Sequence, residues 1–345
     1  MGDRQDRQRV NENQPRRIMV TGGGGFLGSA VIRQLAGRGD RVTSLARNTY
    51  PALRKLEIKQ IQADISDRQS VTDACRGVDA VIHTAAKAGV WGTFEEYYRP
   101  NVTGTENVID ACRTHEIPVL VHTSSPSVIF NGQDMEGVDE SCPYPDKLPT
   151  PYTQTKAIAE QRVRSAAARR DINAVILRPH LIWGPGDPHL VPRVIQRAKK
   201  LVRIGDEDKR VDTIYIDDAA RAHILAADRL AENPELSGNI YFISQDAPIP
   251  MWDMINGILA AAGLPPVTRR LPAGVVWAVG ALLEGLYRIF GKKEEPPMTR
   301  FVARELATAH WFDISAAKRD LGFQPQLTIQ QGLDNLAGWL QDQKL

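Results

Sequence analysis

Thr21-Gly22-Gly23-Gly24-Gly25-Phe26-Leu27-Gly28 constrains this chain more than any other stretch, because it lies between a short apolar strand, Ile18-Met19-Val20, and a helically spaced run from Phe26 to Leu35. In a Thr-Gly-x-x-Gly-x-x-Gly turn at such a junction each glycine has its own task. Gly22 permits the tight turn, Gly25 lets the backbone approach a pyrophosphate, and Gly28 lets the helix lie close on the strand. The helix N-terminus, through Phe26 and Leu27, then offers N–H groups and a partial positive charge to phosphates. Downstream, apolar runs over 42–46, 58–63, 80–84, 118–123 and 174–177 alternate with helical patterns over 67–75, 95–114 and 152–169. This alternation predicts an α/β, Rossmann-type doubly wound parallel sheet with right-handed crossovers and helices on both faces.

The rhythm breaks after Arg178, at Trp183-Gly184-Pro185-Gly186-Asp187-Pro188. The expected organisation is a disordered leader over 1–16, a dinucleotide-binding core over 17–180, and a smaller, mainly substrate-binding part over 181–345. Within that last part, 217–243 is expected to return to the core. A net charge of +2 makes no case for nucleic acid. Cys75, Cys112 and Cys142 lie far apart with no Cys-x-x-Cys spacing, which argues against a disulfide framework and a metal site and suits a reducing cytoplasm. The polar start, Met1 to Arg17, does not read as a secretory signal.

The second strand ends at Ala46-Arg47, about 20 residues after the glycines, where ribose specificity is set. A carboxylate there would grip the two hydroxyls of an NAD ribose, whereas the guanidinium of Arg47 suits a 2′-phosphate. NADP(H) is therefore expected over NAD(H), with a plain surface arginine as the alternative. In Ala63-Asp64-Ile65, at the end of the third strand, Asp64 could accept from an adenine amino group or cap a helix.

Tyr152 and Lys156 stand four apart at the start of a helix and so share a face. An ammonium beside a phenol favours the phenolate and brings proton exchange toward neutrality. One strand earlier, Val119-Leu120-Val121-His122-Thr123-Ser124-Ser125 ends where open α/β sheets place their sites. Ser125, with Ser124 in reserve, could steady a substrate oxygen there. Asn101 either anchors a water that relays protons to Lys156 or is a helix-surface amide. A serine hydrolase is disfavoured, because no Gly-x-Ser-x-Gly elbow surrounds any serine.

With the glycine motif, Ser125 and Tyr152-x-x-x-Lys156 in this order, the chain resembles the extended short-chain dehydrogenases, and within them the 3β-hydroxysteroid dehydrogenase-like branch. Ala85-Ala86-Lys87-Ala88-Gly89-Val90-Trp91-Gly92 and Leu177-Arg178-Pro179-His180-Leu181-Ile182-Trp183-Gly184-Pro185-Gly186-Asp187 are most similar to the β-keto acid reductases of bacterial long-chain olefin biosynthesis. The resemblance implies that Ala85 and Ala86 line the adenine side, that Arg178-Pro179 lies near the nicotinamide, and that Asn101 holds a water. It further implies NADPH-dependent reduction of the 3-keto group of a 2-alkyl-3-oxoalkanoic acid, and assembly with other enzymes of that pathway; a homodimer stays open. Rival readings are a sterol or 3β-hydroxysteroid dehydrogenase, a nucleotide-sugar epimerase, and a silent dinucleotide sensor. Pro126 after Ser125 departs from many members and could shift the serine hydroxyl.

Leu271 to Phe290 is the most apolar stretch, with Val275, Val279, Leu282, Leu286 and Phe290 on one helical stripe. It is expected to be a lid over a long acyl chain, ahead of a core helix or a weakly membrane-contacting one, with Trp183 as a wall of the same groove.

Overall fold

In the computed structural model, which describes residues 15–205 and 209–343, the main sheet follows from the alternation of apolar strands. Five of its strands are β1 (Arg17–Thr21), β2 (Arg41–Ala46), β3 (Lys59–Gln62), β4 (Ala80–His83) and β5 (Leu120–Thr123). The strands Ala174–Pro179 and Ile240–Ile243 complete it, and every pairing is parallel. From one edge the order is Ile240–Ile243, Ala174–Pro179, β5, β4, β1, β2, β3. The order reverses between β1 and β4, so their C-terminal ends open the crevice where such sheets bind ligands.

Alternate residues feed the two faces, as the two-residue period of a strand requires. Ile18, Val20, Ile82, Val121 and Val175 enter one core, and Met19, Val81, Leu120, Ala174 and Ile176 the other. Burial on both faces explains why the strands read as unbroken apolar runs. Helix Ile216–Glu232, with Ala219, Ala220, Ala222, Ala226 and Ala227 buried, packs on helix Phe26–Arg38. With strand Ile240–Ile243, it attaches the second half of the chain to the sheet. The leader expected over 1–16 lies outside the described residues, apart from 15 and 16. Arg16 itself is held in place, pairing with Asp228 and accepting from Arg41 through its carbonyl at 2.9 Å.

The long helix expected over 95–114 is interrupted. Phe94–Tyr98 is α-helical, Arg99–Thr103 is a π-turn, and Gly104–Thr114 is α-helical again. Pro100 has no N–H to give the ladder, and the wider turn absorbs the break.

The apolar stripe of helix Ala273–Ile289 is turned outward and is not packed as a core helix would be. Val276, Gly280 and Glu284 are the buried positions, while Leu282 is 63% and Ile289 79% exposed. A Cβ on Gly280 would lie 2.8 Å from the Thr299 carbonyl carbon, so this glycine lets the helix seat on the segment before helix Arg300–Glu305. Glu284 then accepts from the Arg300 backbone N–H at 2.7 Å and its Nε at 2.9 Å. Leu282 and Leu286 are therefore not part of the packed core. Trp183 is not a groove wall, being fully buried edge-on to Tyr215. Among the described residues no helix is long and apolar enough to cross a membrane.

Candidate active site

The glycine turn has the shape a dinucleotide needs. Gly22 has φ +71°, and a Cβ there would lie 2.8 Å from the Ala85 Cα; one on Gly28 would lie 2.4 Å from the Gly22 carbonyl oxygen. Gly25 is exposed at the N-cap of helix Phe26–Arg38, and no side chain caps that end. The amides of the first turn, at Phe26 and Leu27, are thus left for a phosphate. Behind the turn, Thr21 Oγ1 shares a 2.7 Å hydrogen bond with His83 Nδ1 and accepts from the Ala85 amide at 3.3 Å. His83 Nε2 continues to Thr105 Oγ1 at 3.0 Å. Burial, helped by the Lys156 charge, pushes His83 down to about 3, so this link is neutral.

Around the turn, Arg47 is exposed just past the end of β2. Asp64 is turned into its own loop, accepting from the Ser66 amide at 2.9 Å and hydroxyl at 2.7 Å, with Arg99 3.5 Å away. Those bonds and the nearby Arg99 and Arg47 hold its carboxyl below the usual range. The helix cap is Asp67 instead. Ile65 is buried against Gly104, and Ala86 is exposed beside half-buried Ala85.

Tyr152 and Lys156 come from helix Pro151–Ala168, which starts on a Thr150 capping box with proline in its first turn. Lys156 is buried, and its Nζ donates to the Thr123 carbonyl at 2.5 Å. Burial pulls it down to about 8, opposed by Glu160. The expected lowering of the phenol by this ammonium is not what the geometry delivers. Burial raises Tyr152, a hydrogen bond with Ser125 lowers it, and Glu305 raises it again, leaving the phenol above its ordinary value. Ser125 and Tyr152 are therefore brought together. Pro126 does not displace the serine: Ser125 N-caps the short turn Pro126–Val128, accepting from the Ser127 amide at 3.2 Å. Ser124 is buried beside Glu160 and helps hold its carboxyl low.

Asn101, in the π-turn, is a clamp. Its amide oxygen accepts from the Lys87 N–H at 2.7 Å, and its Nδ2 donates to the Lys87 carbonyl and to Thr155 Oγ1, both at 3.1 Å. Both donors are used, so one oxygen lone pair is what remains for any water. The side chain ties the loop after β4 to the Tyr-Lys helix.

Arg178 is paired inside the protein. Its guanidinium donates to Glu160 at 2.5 and 3.0 Å, with the two side chains 1% and 0% exposed, and it lies over the Phe242 ring. Adjoining Pro179 is also buried. Glu160 was legible as the next four-residue step after Tyr152 and Lys156. Glu305 was not. Its charge acts on Tyr152 from the second half of the chain, and burial pushes its carboxyl up to about 7 against the pull of Arg193. Tyr97 completes the wall, its ring 6.4 Å from that of Tyr152 and edge-on, and its hydroxyl donates to the Trp91 carbonyl at 2.9 Å. A separate surface cavity of about 690 Å³, lined by Gln245, Lys318, Pro325 and Leu327 among others, shares no residue with this site.

Comparison with known proteins agrees with this geometry. The 3-beta hydroxysteroid dehydrogenase/isomerase family matches residues 19–273. A 2-alkyl-3-oxoalkanoate reductase of Shewanella oneidensis is 50% identical, over 92% of this chain and 84% of its own length. One of Stenotrophomonas maltophilia is 46% identical over 93% and 98%. A human decarboxylating sterol-4-alpha-carboxylate 3-dehydrogenase is 32% identical over 95% and 89%. Among solved structures, the UDP-glucuronic acid 4-epimerase of Bacillus cereus in complex with NAD superposes with TM-score 0.73 at 23% identity, covering 95% of this chain and all of that one, a likeness of fold alone. The chain belongs to the 3-beta hydroxysteroid dehydrogenase/isomerase family and is a dinucleotide-dependent oxidoreductase of the extended short-chain type.

Proposed function

We propose that this chain uses NADPH to reduce the 3-keto group of a 2-alkyl-3-oxoalkanoic acid to the 3-hydroxy acid, as a step in long-chain olefin biosynthesis. The observation that carries this reading is 50% identity to a reductase named for that substrate, over nearly the whole chain. A bound nicotinamide supplies the hydride. In this reading Gly22, Gly25 and Gly28 seat its pyrophosphate, and Lys156, held on the Thr123 carbonyl, faces its ribose. Ser125 donates to the substrate carbonyl oxygen, and Tyr152 delivers the proton to that oxygen as the alcohol forms. A phenol held above its ordinary pKa stays protonated through neutrality, which suits the reductive direction. The human sterol relative supports a second reading, oxidation of a sterol 3-hydroxyl by the same residues.

A substrate panel assayed with both cofactors decides between them. Efficiency on β-keto acids is expected to rise about fourfold for each methylene buried on binding. Equal rates on short and long acids, or turnover of a rigid sterol alone, would overturn the olefin reading and leave the oxidoreductase standing. In the same assay Arg47→Ala is expected to raise KM for NADPH about ten- to hundredfold, the worth of a hydrogen bond to a charged group, with little change for NADH. Equal effects on both cofactors would remove Arg47 from 2′-phosphate recognition.

Glu305 adds a pH dependence. Its carboxyl is neutral below about 7 and charged above, and a charge there repels a keto-acid carboxylate. The kcat/KM for such an acid should therefore fall as pH rises through about 7. Coulomb repulsion at several ångströms in a partly solvated site is about 1 kcal/mol, or fivefold. Glu305→Gln should flatten that limb; a wild-type profile in the variant would show that Glu305 does not face the substrate.

A further inference from the structure

We propose that the outer face of helix Ala273–Ile289 docks this protein on an anionic lipid surface, with the helix lying in the interface rather than crossing it. At about 100° per residue, Val275, Val279, Leu282, Leu286, Ile289 and Phe290 fall within an arc of about 100°. All six are among the exposed large apolar side chains, from 39% exposed at Leu286 to 79% at Ile289. The opposite side of the helix is already satisfied by Gly280 against Thr299 and by Glu284 on Arg300. The outward stripe therefore makes no contribution to seating the helix. Contiguous apolar surface of this kind marks an interaction site.

Charge identifies the occupant. Between residues 269 and 293 five exposed cations, Arg269, Arg270, Arg288, Lys292 and Lys293, flank the stripe at its two ends, and the one acid, Glu284, is buried on Arg300. Of the two acids that follow the lysines, exposed Glu294 offsets one of them and Glu295 is drawn away by Arg193 at 2.9 Å, so the flanks stay net basic. A two-fold pairing with a second copy would set basic ends against basic ends, whereas an anionic leaflet complements both together with the stripe. The helix also stands beside the site. Trp91 lies edge-on to Tyr287 with ring centroids 6.3 Å apart, and its Nε1 donates to the Lys292 carbonyl at 3.3 Å. Tyr97, bonded to the Trp91 carbonyl, links this contact to Tyr152. Docking through the stripe would hold the site against the lipid surface. The inference stands on this geometry and not on the identity of the substrate.

The test is co-sedimentation of the full chain with phosphatidylcholine vesicles and with vesicles that also contain phosphatidylglycerol. Preferential binding to the anionic vesicles, weakened by salt, is expected. Leu282→Glu with Ile289→Glu should abolish it, and Arg270→Glu with Lys293→Glu should lower it at least tenfold, at about one unit of surface attraction per basic residue. Circular dichroism and thermal unfolding should match the parent, since these side chains are exposed. Absence of vesicle binding, equal binding to both compositions, or binding insensitive to the apolar pair overturns the proposal. A stable dimer in light scattering that Leu282→Glu dissociates would assign the face to a second copy and overturn it equally.

Discussion

Tyr152→Phe is expected to lower turnover by about two orders of magnitude or more, the usual worth of a positioned general acid, while dinucleotide affinity stays within a few-fold of the parent. The split follows from the geometry. Removing the hydroxyl takes away the group that hydrogen-bonds Ser125, but it leaves Lys156 on the Thr123 carbonyl and the Gly22–Gly28 turn intact. The ring, edge-on to Tyr97, keeps its packing. Steady-state turnover beside a fluorescence titration of NADPH checks both halves. Undiminished turnover would remove Tyr152 from the chemistry, and equal losses in turnover and affinity would make it a packing residue.

The largest effect on stability is expected from Glu160→Ala. Burial alone would push the Glu160 carboxyl up, but hydrogen bonds and charge from Arg178 more than offset it and hold the group ionised. Tyr144 adds a donor at 2.5 Å. Deleting the carboxylate strands a guanidinium that is 1% exposed and already has one nitrogen, Nη1, without a partner. Breaking one side of a buried pair costs about 3–5 kcal/mol. Replacing both residues with methionine removes the stranded charge as well, and should recover most of that loss. Denaturant unfolding of Glu160→Ala and of the double methionine variant tests this. A Glu160→Ala midpoint equal to the parent would show that water reaches the guanidinium after all.

The parts of this protein that its sequence determined are those whose physics is local. Alternating apolar runs specify strands buried on both faces, as over 80–83, 120–123 and 174–179. The glycine spacing is local too, since Gly25 and Gly28 both close on the Gly22 carbonyl within the turn. Tyr152 and Lys156 share a face because four residues make about one helical turn. Other features depended on partners that different elements bring up: Arg178 is held by Glu160, and Asn101 gives both its donors to Lys87 and Thr155. Glu305 carries no local signal, because its importance comes from lying near a tyrosine more than a hundred residues earlier. Helix Ala273–Ile289 shows the limit most plainly. Its periodicity marks an apolar stripe, but which stripe is buried was decided by Gly280 and Glu284 meeting Thr299 and Arg300. A close backbone approach and an ion pair outweighed six apolar side chains, and only the tertiary structure brings those groups together.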